Sequence, residues 1–419
     1  MNTQTNLSKT LPSVWTKNFS FLWLGGIASL VGFRIYEINL SWFVLDTTGS
    51  SAVLGTLFLV FAIPNMVFIL LGGSLADNVS KVKIMFWSDL TRVLAVGLLV
   101  ACYLFGWTPI WLLFAVSLVF GASNAMFVPA KDSILPLLVQ EEQLQKANSF
   151  RELANQASFI LGPLLAALAV STLGSGKAFL VAAFVILLSA ISVKQISYRE
   201  DQKEADAKVT WKKTWEDIKT GFTLLRGKPT WIFMFLALAV FNIGWYGPIM
   251  VGLPYLMNIE MNLGIGSYSL MEISLAIGML VGGLVCSKLN IRRVGLVIFA
   301  AIIVIGTTFS TLGFMNSLYG IAPIIAICGA MLVIINVLLY TTLQKEVDTK
   351  VLGTVMGLLT FIVVGTDPLT FFLAGIGFDM LPHEVVFLLG GGLIAVTGLV
   401  ALMNKSVRAL TSESKEASA

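Results

Sequence analysis

Charge is scarce in this chain. Of its 419 residues only 12% are Asp, Glu, Lys or Arg, against ~25% in soluble domains. With 57% hydrophobic residues and a mean hydropathy of +0.88, a soluble globule of this length is excluded. Histidine is scarcer still: His383 is the only one, and its loop-like setting predicts a solvated residue. Cys102, Cys286 and Cys328 are isolated in or beside apolar runs, which excludes a disulfide framework and a Cys/His metal site. Gly174-Ser175-Gly176-Lys177 ends like a phosphate-binding loop. Such a loop needs glycine where Ser171 stands and Ser or Thr where Ala178 stands, and it must follow a strand. No nucleotide site follows, and no Ser, His or Cys constellation suggests catalysis. Neither enzyme activity nor a cofactor or metal is expected.

What the chain has in abundance is apolar runs of ~20 residues, the length that crosses ~30 Å of hydrocarbon. Twelve are read, at 20–45, 52–72, 84–105, 110–129, 148–172, 178–196, 231–256, 267–285, 294–314, 318–340, 353–377 and 385–403. In lipid each must satisfy its backbone polar groups internally, so all are expected to be helices. Pro129 and Pro136 are expected to bracket a polar connection after the fourth. Residues 197–230 form the longest charged stretch. They divide the chain into an N-terminal part, 1–196, and a C-terminal part, 231–419. Within the stretch Trp211, Trp215, Ile218, Phe222 and Leu225 fall on one helical face among lysines, which predicts an amphipathic helix lying on anionic lipid.

The few charges are unevenly placed. Of 27 Lys and Arg, 24 fall in alternate loops and the termini; the opposite loops hold only Lys177, and Arg34 and Arg92 lie inside helices. This asymmetry predicts a multi-pass cell-membrane protein with both termini cytoplasmic. The net charge of +4 therefore reports topology, and a nucleic-acid partner is not expected. The polar first twenty residues do not read as a cleavable signal peptide.

Between the second and third runs lies Gly72-Gly73-Ser74-Leu75-Ala76-Asp77-Asn78-Val79-Ser80-Lys81-Val82-Lys83, read as a polar hinge in which Asp77 ends the preceding run. The stretch resembles the major facilitator superfamily, whose loop between helices 2 and 3 reads Gly-x-Leu-Ala-Asp-Arg-x-Gly-Arg-Lys. Gly73, Leu75, Ala76, Asp77 and Lys81 match; Asn78 replaces an arginine and Ser80 a glycine. A degenerate copy, Gly282-Gly283-Leu284-Val285-Cys286-Ser287-Lys288, follows 210 residues later, with Ser287 in place of the acid. Asp367-Pro368 likewise follows Gly162-Pro163 by 205 residues, and Gly162-Pro163 resembles the helix-5 Gly-Pro signature of exporters in this superfamily. Leu135 to Leu144 and Met271 to Gly283 resemble its macrolide-efflux branch, to which enterobactin-type siderophore exporters are related. At Leu352-Gly353-Thr354-Val355 that branch usually carries arginine where Thr354 stands. The resemblance covers nearly the whole chain. It implies an all-α membrane protein of twelve transmembrane helices in two pseudo-symmetric six-helix halves, the major facilitator fold. It also implies a bacterial monomer that moves a small molecule.

Polar groups inside the apolar runs carry the functional expectations, because an ionisable residue at membrane depth is costly and usually faces a water-filled path or a substrate. Arg34 and Glu37 are three apart and share a helix face, so they can neutralise one another. With Asn242, Tyr246 and Asn336 they form the candidate substrate-binding set, although helix packing explains the last three equally well. Asp367, Glu37 and Glu272 are the candidate proton carriers. Gly73, Asp77, Lys81, Asp89 and Arg92 are the candidate cytoplasmic gate, and Gly162 and Pro163 the helix-5 kink. The expected function is export of a small molecule driven by protons through alternating access. As the lone midplane cation, Arg34 tilts the substrate towards a siderophore-like anion over a macrolide-type drug. Import of a polar metabolite and lipid flipping are the alternatives.

Overall fold

The computed structural model describes residues 14–78, 80–198, 223, 229–289, 291–347 and 349–410; for residues 69–78, 229, 349 and 350 only the backbone is described. The predicted amphipathic helix at 211–225 lies outside the described residues, Thr223 excepted. Every long element is an α-helix: α1 Lys17–Thr48, α2 Ser51–Asn78, α3 Lys81–Leu104, α4 Ile110–Leu138, α5 Leu144–Leu173, α6 Ser175–Lys194, α7 Pro229–Tyr255, α8 Ile265–Lys288, α9 Val294–Ser310, α10 Leu318–Glu346, α11 Thr349–Met380 and α12 His383–Met403. Each contains a window apolar and long enough to cross a bilayer. All twelve runs found in the sequence are thus helices, and several extend one to three turns beyond the run.

The helix packing repeats after six elements. α1 packs on α5 and α6, α2 on α4, and α3 on α4 and α6. The same pattern recurs as α7 on α11 and α12, α8 on α10, and α9 on α10 and α12. The two six-helix halves meet chiefly through α2 against α11 and α5 against α8, two contacts that the internal symmetry exchanges. One end of the bundle carries nearly all the described Lys and Arg and both described chain ends; we call it the cationic end. The other end carries Gly49, Gly106 and Gly174, each with positive φ, in tight turns between helices.

Three sequence expectations need correction here. The 72–83 stretch is not a loop: α2 continues through Asp77 to Asn78, and α3 starts at Lys81. Nothing in Gly72 to Asn78 forbids helix, and in hydrocarbon an unpaired backbone is costlier than a poor helix former. Pro129 and Pro136 do not bracket a connection, because both lie inside α4. A proline removes one backbone donor but can leave the helix running where neighbours cover the gap; Pro64, Pro163, Pro248, Pro254, Pro323 and Pro368 do likewise in their helices. His383 is not a solvated loop residue. It opens α12, and its side chain is 15% exposed, with Nδ1 3.4 Å from Glu260 Oε1 and 3.6 Å from Glu384 Oε2.

Candidate functional site

The polar residues singled out in the sequence divide into two clusters. In the first, α1 presents Arg34 and Glu37 on one face, and Arg34 Nη1 donates to Glu37 Oε2 at 2.6 Å. The guanidinium also stacks on the Phe159 ring of α5, 4.1 Å from its centroid. α5 can come this close because residue 162 is glycine. A Cβ there would overlap the Cβ of Arg34, so the Gly-Pro step of α5 and the arginine of α1 are fitted to one another.

The second half completes this cluster. Glu272 of α8 is 4% exposed, and its Oε1 lies buried with no hydrogen-bond partner. Arg34 is in electrostatic range of Glu37, Glu272 and Tyr246. Tyr246 of α7 in turn feels Asp367, Glu37, Arg34 and Glu272. The fields of charged side chains from α1, α8 and α11 therefore meet at Tyr246, at the junction of the two halves.

Asp367 is held within its own half. Asn242 Nδ2 donates to Asp367 Oδ1 at 2.8 Å, and lies 2.8 Å from Thr366 Oγ1 and 3.1 Å from Val363 O. Tyr246, one turn along α7, packs its ring on Phe371 at 5.1 Å. Asn242 and Tyr246 thus face α11, as their four-residue spacing requires. Thr370, next to this pair and not singled out in the sequence, accepts from Gly247 N–H and donates to Ile243 O, both at 2.9 Å. Its hydroxyl sits in the backbone ladder of α7 just before Pro248, one of the recognised causes of a helix bend. Asn336 stands apart on α10 as an exposed residue and is not drawn into the cluster.

The second cluster is Asp89 with Arg92. Both are buried, 0% and 1% exposed. Asp89 Oδ1 accepts from Ser29 Oγ at 2.9 Å and Arg92 Nη1 at 3.2 Å, and Oδ2 accepts from Ser189 Oγ at 2.6 Å. Arg92 continues to Asn124 at 3.4 Å, which reaches Asn65 at 3.2 Å. Ser29, Asn65, Asn124 and Ser189 bring in α1, α2, α4 and α6. The cluster knits the first half together, two turns inside the end of α3, and these bonds do not cross to the other half. Of the remaining gate candidates, Gly73 and Asp77 lie in the last turns of α2, where only the backbone is described, and Lys81 opens α3.

A cavity of about 880 Å³ lies between α3 and α4, with Trp87, Thr91, Leu94, Leu98 and Val119 in its walls and no residue of either cluster among them. Trp87, Leu94 and Leu98 are all more than half exposed, so this is a groove on the apolar outer surface of the bundle.

Comparison with known proteins agrees with this architecture. The family profile of the Major Facilitator Superfamily matches residues 22–366. Macrolide efflux protein A of Streptococcus pyogenes is 26% identical over 402 residues, covering 94% of this chain and 98% of the relative. Multidrug efflux pump Tap of Mycolicibacterium fortuitum is 27% identical over 405 residues, covering 92% and 95%. Among solved structures, the nucleoside transporter NupG superposes with a TM-score of 0.75 at 14% identity, covering 92% of this chain and 99% of that one.

Proposed function

The chain belongs to the major facilitator superfamily, and on that premise we propose that it is a proton-driven exporter of small amphipathic molecules working by alternating access. The observation that carries this reading is the cluster at the junction of the halves, where Glu37, Glu272 and Asp367 outnumber Arg34. A proton antiporter needs carboxylates whose ionised form is costly when enclosed and whose charge a passing ligand can replace. Glu272 has the setting for it: it is buried, one oxygen is unpartnered, and its neighbouring cation is already engaged by Glu37. Asp367, held by Asn242 beside Pro368, is the second carrier.

The pairing also bears on the substrate. A lone midplane arginine favours an anion, but Arg34 spends its charge on Glu37 and its face on Phe159. Surplus carboxylate favours a lipophilic cation, and relatives whose names speak of macrolide and multidrug efflux accord with a drug-like substrate. The excess of Lys and Arg at one end supports an orientation with that end, and both termini, in the bacterial cytoplasm. Residues 1–196 and 231–419 then rock about the central cluster, joined by 197–230, in a single-chain unit.

The test is substrate-induced proton flux in proteoliposomes under an imposed pH gradient, with ethidium as a lipophilic cation and an aryl carboxylate as the anion. Proton movement with ethidium and none with the anion supports the reading. Movement with the anion alone returns the substrate to the siderophore-like class, and accumulation opposite to the export direction identifies an importer.

A further inference from the structure

The halves touch closely at the end of the bundle opposite the cationic loops, where α2 begins and α11 finishes. Asp379, one residue before the end of α11, reaches across to the first turn of α2. Its Oδ2 accepts from Ser50 Oγ at 2.6 Å and from the Ala52 N–H at 3.1 Å. Its Oδ1 accepts from the Ser51 N–H at 2.7 Å and from Ser51 Oγ at 2.5 Å. One turn deeper Gly55 and Gly375 let the two backbones meet: a Cβ on either would overlap the other helix. Next to them the Phe58 and Phe371 rings pack at 5.2 Å.

A helix start leaves its first N–H groups without internal partners and carries a partial positive charge, which an acid in the first turn usually answers. α2 has no acid in its first turn. The carboxylate that caps it comes from the other half of the molecule. Ser50 Oγ caps the Val53 N–H from within the same half, at 3.2 Å, whereas capping of the Ser51 and Ala52 N–H groups is conditional on the halves being closed at this end. The bonds to Ser50 and Ala52 are exposed, so water can take over both sets of groups when the contact parts, and the contact can re-form.

We propose that Asp379 is the latch of this end of the bundle: its carboxylate holds α2 while the end is closed and must release it each time the end opens. The proposal rests on the reading of the chain as an alternating-access transporter, and its first test needs neither substrate nor proton gradient. Spin labels are placed at Thr47→Cys, on the end of α1, and at Met380→Cys, on α11, in full-length protein with Cys102→Ser, and distances are measured in lipid nanodiscs. Asp379→Ala should raise the long-distance population about tenfold or more, since losing one charge-assisted hydrogen bond is already of that order. Ser51→Ala, which keeps the two backbone donors, should shift it less. A distribution in Asp379→Ala that matches the unsubstituted protein overturns the latch.

A second measurement stands if Asp379→Ala does not fold. The pair Thr47→Cys with Met380→Cys, which keeps Asp379, bridged by a reducible bis-methanethiosulfonate cross-linker, should stop ethidium efflux, and reduction should restore it. Continued efflux in the cross-linked protein also overturns the proposal. A protein that opens in Asp379→Ala yet moves neither ethidium nor protons before any substitution sinks the export reading and leaves the latch in place.

Discussion

Two ion pairs in the first half have the same spacing and opposite character. Arg34–Glu37 and Asp89–Arg92 are both three residues apart on one helix, and both lie inside apolar runs. Asp89 has both oxygens bonded, by Ser29, Arg92 and Ser189. Its partners come from the same half, and neither residue is reachable from solvent. Arg34 and Glu37 keep 19% and 12% of their side chains exposed and share their field with Glu272 and Tyr246 from the other half. A pair whose carboxylate is fully bonded within one rigid unit is suited to fixing structure. A pair at the boundary of two units, beside a carboxylate with an unfilled oxygen, can change partners when the units move.

The first way to break this contrast is Asp89→Ala. It strands Arg92 in the core of the first half, and removing one member of a buried pair costs about 3–5 kcal/mol. The folded yield should fall sharply, with thermal unfolding in detergent shifted down, and transport should fall only in proportion to folded protein. Normal stability with abolished transport would move Asp89 to the working cluster.

Asp367→Asn should do the reverse. Asparagine keeps an acceptor for Asn242, so stability should change by no more than about 1 kcal/mol, while proton flux driven by substrate should fall to background. Glu272→Gln should weaken coupling less, and Glu37→Gln least of the three, because Arg34 already neutralises Glu37. The readout is proton flux per substrate in proteoliposomes, normalised to folded protein. Wild-type coupling in Asp367→Asn would leave Glu272 as the carrier.

The contrast also shows how far the sequence could be read. Twelve spans follow from run length alone, and the halves from the repeat of Gly72-Gly73 at Gly282-Gly283, because hydrocarbon leaves the backbone few choices. Arg34 and Glu37 were legible as a pair, since helix spacing is local. Their company was not: that Gly162 makes room for Arg34, or that Glu272 joins it, depends on which helices meet. For the same reason the surroundings of Asp89 and Arg92 were not legible. Their polar partners Ser29, Asn124 and Ser189, and Asn65 beyond Asn124, lie on four other helices and are ordinary residues in any one of them. Asp379 carried no signal at all, because the helix start that it caps is 328 residues away in sequence.

The smallest expected effect tests how firmly Arg34 is tied to its place. Its guanidinium lies 4.1 Å from the Phe159 ring centroid, near enough for the negative ring face to hold it. Phe159→Leu keeps an apolar side chain of similar reach and removes only that attraction. At a partly exposed site such a contact is worth about 0.5–1 kcal/mol, or roughly two- to fivefold in an equilibrium. Loosened from α5, Arg34 stays beside Glu37 but is freer to swing towards Glu272, where it competes with a cationic substrate for the same carboxylate. The apparent affinity for ethidium should therefore weaken by about two- to fivefold, with thermal stability nearly unchanged, and Phe159→Tyr should restore it. In the Asp89 cluster, Arg92 also lies near rings, 5.8 Å from Phe120 and 5.4 Å from Phe127, yet Phe127→Leu should leave affinity untouched. An affinity change of equal size in both variants would mean that the two ion pairs are mechanically one system, and that the division between a structural and a working pair is drawn in the wrong place.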